Sequence, residues 1–441
     1  MKIAILQPRG PLYKNKSGAF KKSLMYAPLT LTTLAALVPQ ELNAEIQIID
    51  EGVEDINPNL EADLIAITAI TGTSRRAYKF ADKFRSRGIP VVMGGVHATL
   101  VPNEVGEHAD SVVVGYGEEN WPQLLRDFKE GKMEKFYYQS PNHSLAGMPF
   151  PRRDMLKKKG YTTIFSIEAA RGCLNNCDFC VVPAAWGRKL YQKPVEEVIA
   201  EIKQMKAKHL IFIDLSPTED VKYSKELYKA MIPLKLRWFG LSTTKIYHDN
   251  ELLELAAESG CKGLLIGFES VDQKTLINAN KGFNSVAKYY DLVEKLHSHG
   301  IAINGCFVFG FDNDDKDTFK ETVEFVQKAK IDLPRYAIYT PFPGTAVHNK
   351  LKGEGRIIED NWSLYDAQHA VFRPAQMTPQ ELEDGARWAW KETYKLSSIF
   401  KRLASSRTFT RVTLPLNLAY RYYANNLHNY TKERMLEDLD I

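Results

Sequence analysis

Residues 171–180 read Arg-Gly-Cys-Leu-Asn-Asn-Cys-Asp-Phe-Cys, and the three cysteines at 173, 177 and 180 govern the reading of everything around them. Three thiolates this close can ligate three irons of a 4Fe-4S cluster. Such a cluster ordinarily takes four cysteines, so one iron stays open for another ligand. The same residues also admit a zinc ion completed by a histidine, or an inert thiol group. The nearest histidines, His143 and His209, have no zinc-finger spacing. An apolar run, 162–168, precedes the motif and reads as a strand.

Further strand candidates follow at 210–214, 236–242, 263–269, 302–309 and 335–339, with amphipathic segments such as 195–206 between them. Alternating strands and helices give a parallel sheet. Six units are too few for a closed eight-fold barrel, so the expectation is a partial (β/α)6 barrel over 161–375, with its active face at the strand C-termini. Residues 1–135 alternate in the same way: KIAIL, a helix near 30–38, IQIID, LIAITAI, a helix near 74–86, PVVMGG and SVVVGY. This predicts an α/β, doubly wound, Rossmann-like domain whose ligand lies beyond the strand carboxyl ends. Residues 136–160 lose periodicity, gather prolines and a Lys157–Lys159 run, and read as a linker. From 376 to 441 strand signals stop and a small helical region follows.

The chain has 441 residues, 44% hydrophobic and 25% charged, which is globular composition with room for two or three domains. Lys and Arg exceed Asp and Glu by 58 to 54, too slight an excess to imply nucleic acid. No stretch approaches the roughly 18 to 20 apolar residues of a membrane-spanning helix, and the start, MKIAILQPRG, reads as a strand rather than a secretory signal. Five cysteines in so long a chain do not make a disulfide framework, so a cytoplasmic protein with reduced thiols is expected.

Cys-x-x-x-Cys-x-x-Cys with an aromatic before the third cysteine, on the loop after the first strand of a partial barrel, resembles the radical S-adenosylmethionine (SAM) superfamily. The resemblance continues through FIDLSPTED, RWFGLSTT, GCKGLLIGFESVD, GIAINGCFVFGFDNDD and YAIYTPFPGT, and in front through GGVHATLVPNE and VVGYGEENWPQL. It points to the subgroup with an N-terminal cobalamin (B12) domain, which holds the anaerobic magnesium-protoporphyrin cyclase and the hopanoid and bacteriochlorophyll methylases.

That resemblance implies Cys173, Cys177 and Cys180 as cluster ligands, with SAM chelated at the open iron and cleaved to a 5′-deoxyadenosyl radical. Phe179 would pack over the adenine, and Asp214, Ser242, Glu269 and Asn304 would meet SAM; each of these four equally reads as a satisfied strand-end polar group. Cobalamin would contact Thr68, Thr71, Gly94, Gly95, His97, Gly115, Gly117 and Glu118 at the ends of the first sheet's strands. An external electron donor such as flavodoxin or ferredoxin is implied as a partner.

Two departures stand out. The paired acidic pattern after the second barrel strand is Asp214-Leu215-Ser216, leaving one carboxylate. The Asp-x-His-x-x-Gly cobalt motif is absent, the comparable strand end being Asp50-Glu51-Gly52-Val53. His97 is read as a hydrogen-bonding loop residue rather than an axial ligand, and Cys261 and Cys306 as core.

In 391–434, nine Lys or Arg stand against two Glu, with seven aromatics among them. Such a tail suits a membrane surface or an anionic partner, or equally a helical cap on the open barrel. The expected activity is cobalamin-dependent radical C-methylation of an unactivated carbon of a hydrophobic, small-molecule substrate. The alternatives are a radical cyclase or rearranging enzyme and, from another class, a cobalamin-binding sensor or assembly factor with a structural cluster. An RNA methylthiotransferase would carry further cysteines before residue 173, and there are none.

Overall fold

A computed structural model describes residues 1–10, 26–158, 160–404, 408 and 410–433. Strands β1 (Lys2–Gln7), β2 (Glu45–Asp50), β3 (Leu64–Thr68), β4 (Val91–Gly94), β5 (Ser111–Val114) and β6 (Phe136–Tyr138) form one sheet in the order β2-β1-β3-β4-β5-β6, parallel throughout. Ile3 to Leu6 and Leu64 to Ile67 are buried without interruption, as strands covered on both faces require. One face packs on helices α1 (Leu29–Ala36) and α3 (Asn120–Lys129), through Leu31, Trp121 and Leu124. The other packs on α2 (Ser74–Ser86), whose Ala77, Phe80, Ala81 and Phe84 recur at helical spacing. Strand order reverses between β1 and β3, which opens a crevice at their carboxyl ends.

Strand β6 lies in the stretch read as linker, and further side chains of that stretch reach the core between exposed neighbours. Leu145 and Leu156 are buried, and Arg153 forms a buried pair with Glu201 at 2.6 Å. Three-residue β6 is too short for its alternation to register in the sequence.

The second sheet is also parallel. Strands β7 (Ser166–Ile167), β10 (His209–Phe212), β11 (Arg237–Ser242), β12 (Cys261–Glu269), β13 (Ala302–Phe309) and β14 (Arg335–Ile338) follow in that spatial order, open at both ends. Asp220, Asp249 and Asp272 cap the helices after β10, β11 and β12 by accepting first-turn amides. The short strands β8 (Ala170–Gly172) and β9 (Leu190–Gln192) pair antiparallel outside the sheet.

Three helices end the described chain: α4 (Pro379–Thr393), α5 (Leu396–Leu403) and α6 (Thr410–Asn426). They share the core of the second sheet. Trp390 Nε1 donates to the Tyr336 carbonyl at 3.2 Å, and buried Arg402 donates to the carbonyls of Ile331 and Asp332 at 2.8 Å each. The two sheets are cross-linked by Ala27 N to the Thr163 carbonyl (3.0 Å), Tyr161 Oη to Asp50 (2.7 Å) and Trp362 Nε1 to Glu104 (2.8 Å).

Candidate functional site

The cysteine loop is pinned before it reaches its chemistry. β8 and β9 clamp its two ends. Gly172 holds φ +90°, and a Cβ there would sit 2.0 Å from the Lys189 carbonyl oxygen, so only glycine passes. Within the loop Cys180 N donates to the Cys177 carbonyl at 3.1 Å, and Asp178 is held by Asn280 Nδ2 at 2.6 Å. Asn175 Nδ2 donates to Cys173 Sγ at 3.2 Å.

All three thiols are free, with Cys177 buried and the other two half-buried. Burial pushes the Cys177 thiol up to about 12, so it becomes a thiolate only where something such as iron stabilises the anion. Three free soft donors on one pinned loop fit a cluster with one open iron. Among the described residues no group of three or more His, Cys, Asp or Glu side chains, the three cysteines included, is drawn together as closely as a single bound ion requires. Phe179 is braced edge-on by Phe311 and Tyr339, both with ring centres at 6.0 Å.

Beside the loop lies a buried ion pair. Lys281 Nζ donates to Glu269 Oε1 at 2.6 Å, and Glu269 sits at a bulge in β12 with φ +64°. A left-handed conformation at a non-glycine residue is strain, retained only where the surroundings enforce it. Burial opposes the Lys281 charge, but Glu269 and the neighbouring Cys177 raise its pKa above the ordinary lysine value. Lys281 therefore places a fixed cation beside the cysteine loop.

The other barrel residues divide. Asp214 is buried and accepts the amides of Ala169 (3.1 Å) and Ala170 (2.5 Å), which makes it a satisfied strand-end carboxylate joining β10 to the start of β8. Burial, then the Glu168 charge, push it up to about 7. Ser242 Oγ donates to the Thr243 carbonyl at 3.1 Å. Asn304 faces the Tyr420 hydroxyl of α6. Cys261 is buried in the core as expected, whereas Cys306 is only half-buried, on the alternate face of β13 from Phe307.

At the first sheet's carboxyl edge a cavity of about 690 Å³ opens, within the range of small-molecule sites. Thr68, Gly94, Gly95, Gly115, Gly117 and Glu118 line it. Gly95 (φ +97°) and Gly115 (φ +88°) are glycine for backbone reasons: a Cβ would lie 2.8 Å from the Ala69 oxygen at the first, and 2.6 Å from Gln139 Cβ at the second. The resulting glycine-bordered cradle fits a large flat group such as a corrin.

Thr71 and His97 do not border the cavity but lie buried behind it. The Tyr78 hydroxyl donates to Glu104 at 3.0 Å and meets His97 Nε2 at 2.9 Å, while His97 Nδ1 lies 3.3 Å from Thr71 Oγ1. Burial pulls the His97 pKa down to about 4. With both ring nitrogens engaged by Tyr78 and Thr71, His97 holds the loop.

The cavity does not end at the first sheet. Glu168, Arg171, Trp186 and Ile213 of the second domain also line it, as do Tyr365 and Asp366. Arg171 spans the junction, donating from Nε to Glu168 at 2.5 Å and from Nη1 to Glu118. Its guanidinium lies 4.9 Å from the ring centre of Tyr116, which stacks on Trp186 at 5.1 Å. Sequence reading passed over Arg171, Tyr116 and Trp186, although each adjoins a motif already singled out. Tyr365 lies in an aperiodic stretch that carries no signal.

Residues 167–326 match the Radical SAM superfamily and residues 26–125 the B12 binding domain. The chain is 32% identical over 388 residues to the bacteriochlorophyllide d C-12(1)-methyltransferase of Chlorobaculum tepidum, covering 85% of this chain and 84% of that one. It is 25% identical to the anaerobic magnesium-protoporphyrin IX monomethyl ester cyclase of Cereibacter sphaeroides, over 77% of this chain and 61% of that one. Its fold is similar to that of the radical S-adenosylmethionine methyltransferase TsrM from Kitasatospora setae, with TM-score 0.62, 17% identity, and coverage of 80% of this chain and 78% of that one.

Proposed function

The chain belongs to the cobalamin-binding radical SAM enzymes, and we propose that it methylates an unactivated carbon of a small hydrophobic substrate held between its two sheets. When bound, the cluster supplies the electron that splits SAM, and cobalamin supplies the methyl group. The residues of the chain bind, orient and shield. Cys173, Cys177 and Cys180 would hold the cluster, and Phe179, fixed by its aromatic neighbours, would pack over the adenine. Ser242, Asn304 and the Glu269–Lys281 pair would hold SAM, while Asp214 acts through the amides of Ala169 and Ala170 that lead into the cysteine loop. Thr68, Gly94, Gly95, Gly115, Gly117 and Glu118 border the corrin, with Thr71 and His97 supporting them from behind.

The observation that carries this reading is the continuity of the cavity. One chamber touches both the strand ends of the B12 domain and the residues flanking the cysteine loop, which supports a substrate held between the two cofactor sites. The first of the relatives reported above, named as a methyltransferase, supports methyl transfer. Ring formation is the second reading, supported by the cyclase relative. The proposal includes a cytoplasmic setting and an external one-electron donor of the flavodoxin or ferredoxin kind. The test is anaerobic incubation of reconstituted protein with methyl-labelled SAM and a fractionated lipid extract of the host. Label in a lipophilic product supports methylation. Release of 5′-deoxyadenosine with an unlabelled, altered substrate selects cyclisation, and no 5′-deoxyadenosine in any fraction selects a structural cluster.

A further inference from the structure

The last two helices turn an apolar face to solvent. On α6, Leu414, Leu418 and Tyr422 stand four residues apart, hence in one row along the helix, and are 37%, 47% and 50% exposed. On α5, Leu396 and Phe400 repeat the spacing at 46% and 62%. The opposite sides are fixed in the core by Ile399, Arg402 and Leu403 on α5 and by Asn417, Tyr420 and Ala424 on α6. The outward rows are therefore set by packing on the domain. Single exposed leucines are ordinary, but two such rows on neighbouring helices mark a contact surface.

Along the two helices themselves the charge has one sign. From Thr393 to Lys432 the sequence contains no Asp or Glu. Lys401 follows Phe400, and Arg411 stands one turn before Leu414. Neither these two nor Lys391 has an ion-pair partner among the described residues. Of the other described cations, Lys395 pairs with Glu392 at 2.5 Å, Arg402 is buried, Arg421 donates to the Tyr394 carbonyl at 2.9 Å, and Lys432 stands beside the Glu433 charge. Arg407 and Arg434 lie outside the described residues.

We propose that α5 and α6 form a docking face for an anionic lipid bilayer. Aliphatic and aromatic side chains flanked by unpaired cations match the boundary between acyl chains and anionic headgroups, where the former enter and the latter stay at the surface. A second copy of the chain would bring the same cations against one another. Among the described residues no helix is long and apolar enough to cross a membrane, so the contact is peripheral. It does not rest on the methyl-transfer reading and is measured without turnover.

Co-sedimentation of the full chain with vesicles tests it. Phosphatidylcholine vesicles containing phosphatidylglycerol should bind the protein at low salt, pure phosphatidylcholine far less, and added salt should reverse the binding. Phe400→Ser/Leu414→Ser/Leu418→Ser and Lys391→Ser/Lys401→Ser/Arg411→Ser should each lower the affinity at least about tenfold. All these residues are exposed, so both variants should melt with the parent chain. Absence of binding to the anionic vesicles overturns the proposal, and so does equal binding by parent and variants. A dimer in solution that the apolar triple variant dissociates also overturns it, by assigning the face to a second copy.

Discussion

Arg171, two residues ahead of Cys173, joins Glu118 at the end of β5 to Glu168 beside β7, so one guanidinium cross-links the B12 domain to the cysteine loop. The side chains are 15%, 7% and 15% exposed. Removing one partner of a buried pair leaves an uncompensated charge, at a cost of about 3 to 5 kcal/mol. Arg171→Met should therefore lower the thermal midpoint and weaken cobalamin binding, and Arg171→Met/Glu118→Gln should recover part of the stability without recovering the affinity. Calorimetry and cobalamin titration check this; an unchanged affinity would reduce the cross-link to a purely structural role.

The Glu269–Lys281 pair makes a second, separable prediction. Both side chains are about one-tenth exposed, so Lys281→Met should destabilise by about 3 to 5 kcal/mol, with Glu269→Gln restoring part of the loss. Because Lys281 is a cation beside the cysteine loop, its loss should also make the reconstituted cluster harder to reduce. Redox titration by electron paramagnetic resonance reads this; a midpoint unchanged in Lys281→Met would leave Lys281 with no electrostatic role.

Asp214 gives the protein a pH signature. Its pKa is raised from 3.8 to about 7 in the folded state, so between those values the folded chain holds more protons than the unfolded one. Stability then falls as pH rises through this window. Asp214→Asn, which keeps an acceptor for the amides of Ala169 and Ala170, should flatten that part of the profile. Thermal midpoints from pH 5 to pH 8 test it, and parallel profiles for the two proteins would refute the assignment.

His97 should be silent toward cobalt. It is fully buried and occupied by Tyr78 and Thr71, so His97→Gln should lower stability but leave the visible spectrum of bound cobalamin unchanged. Loss of a nitrogen-ligand signature on substitution would restore His97 as the lower-face ligand.

Much of this was legible in the sequence. Period-two and period-3.6 patterns located five of the first sheet's strands and all six of the second, Ala302–Phe309 among them to the residue, because each sits in an apolar run long enough to stand out, such as 162–168 around two-residue β7. β6, with three residues, is not. The cysteines were legible because ligand spacing is local. What the sequence could not convey was pairing across the chain: it left Asp214 between a SAM contact and a satisfied strand-end group without showing that the amides of Ala169 and Ala170 bind it, and it read His97 as a hydrogen-bonding loop residue without naming Tyr78 as the partner. Arg402 counted as one cation of a basic tail, yet it is buried on the carbonyls of Ile331 and Asp332. Tyr365 enters the cavity from a stretch with no period at all.

The most direct measurement is SAM cleavage by anaerobically reconstituted protein under dithionite, read as 5′-deoxyadenosine, alongside iron content. The wild-type chain should bind about four irons and release 5′-deoxyadenosine, and Cys177→Ala should abolish release, since a cluster short of one protein ligand loses an iron or its single open site. Release of 5′-deoxyadenosine by a chain in which Cys173, Cys177 and Cys180 are all alanine would contradict the account.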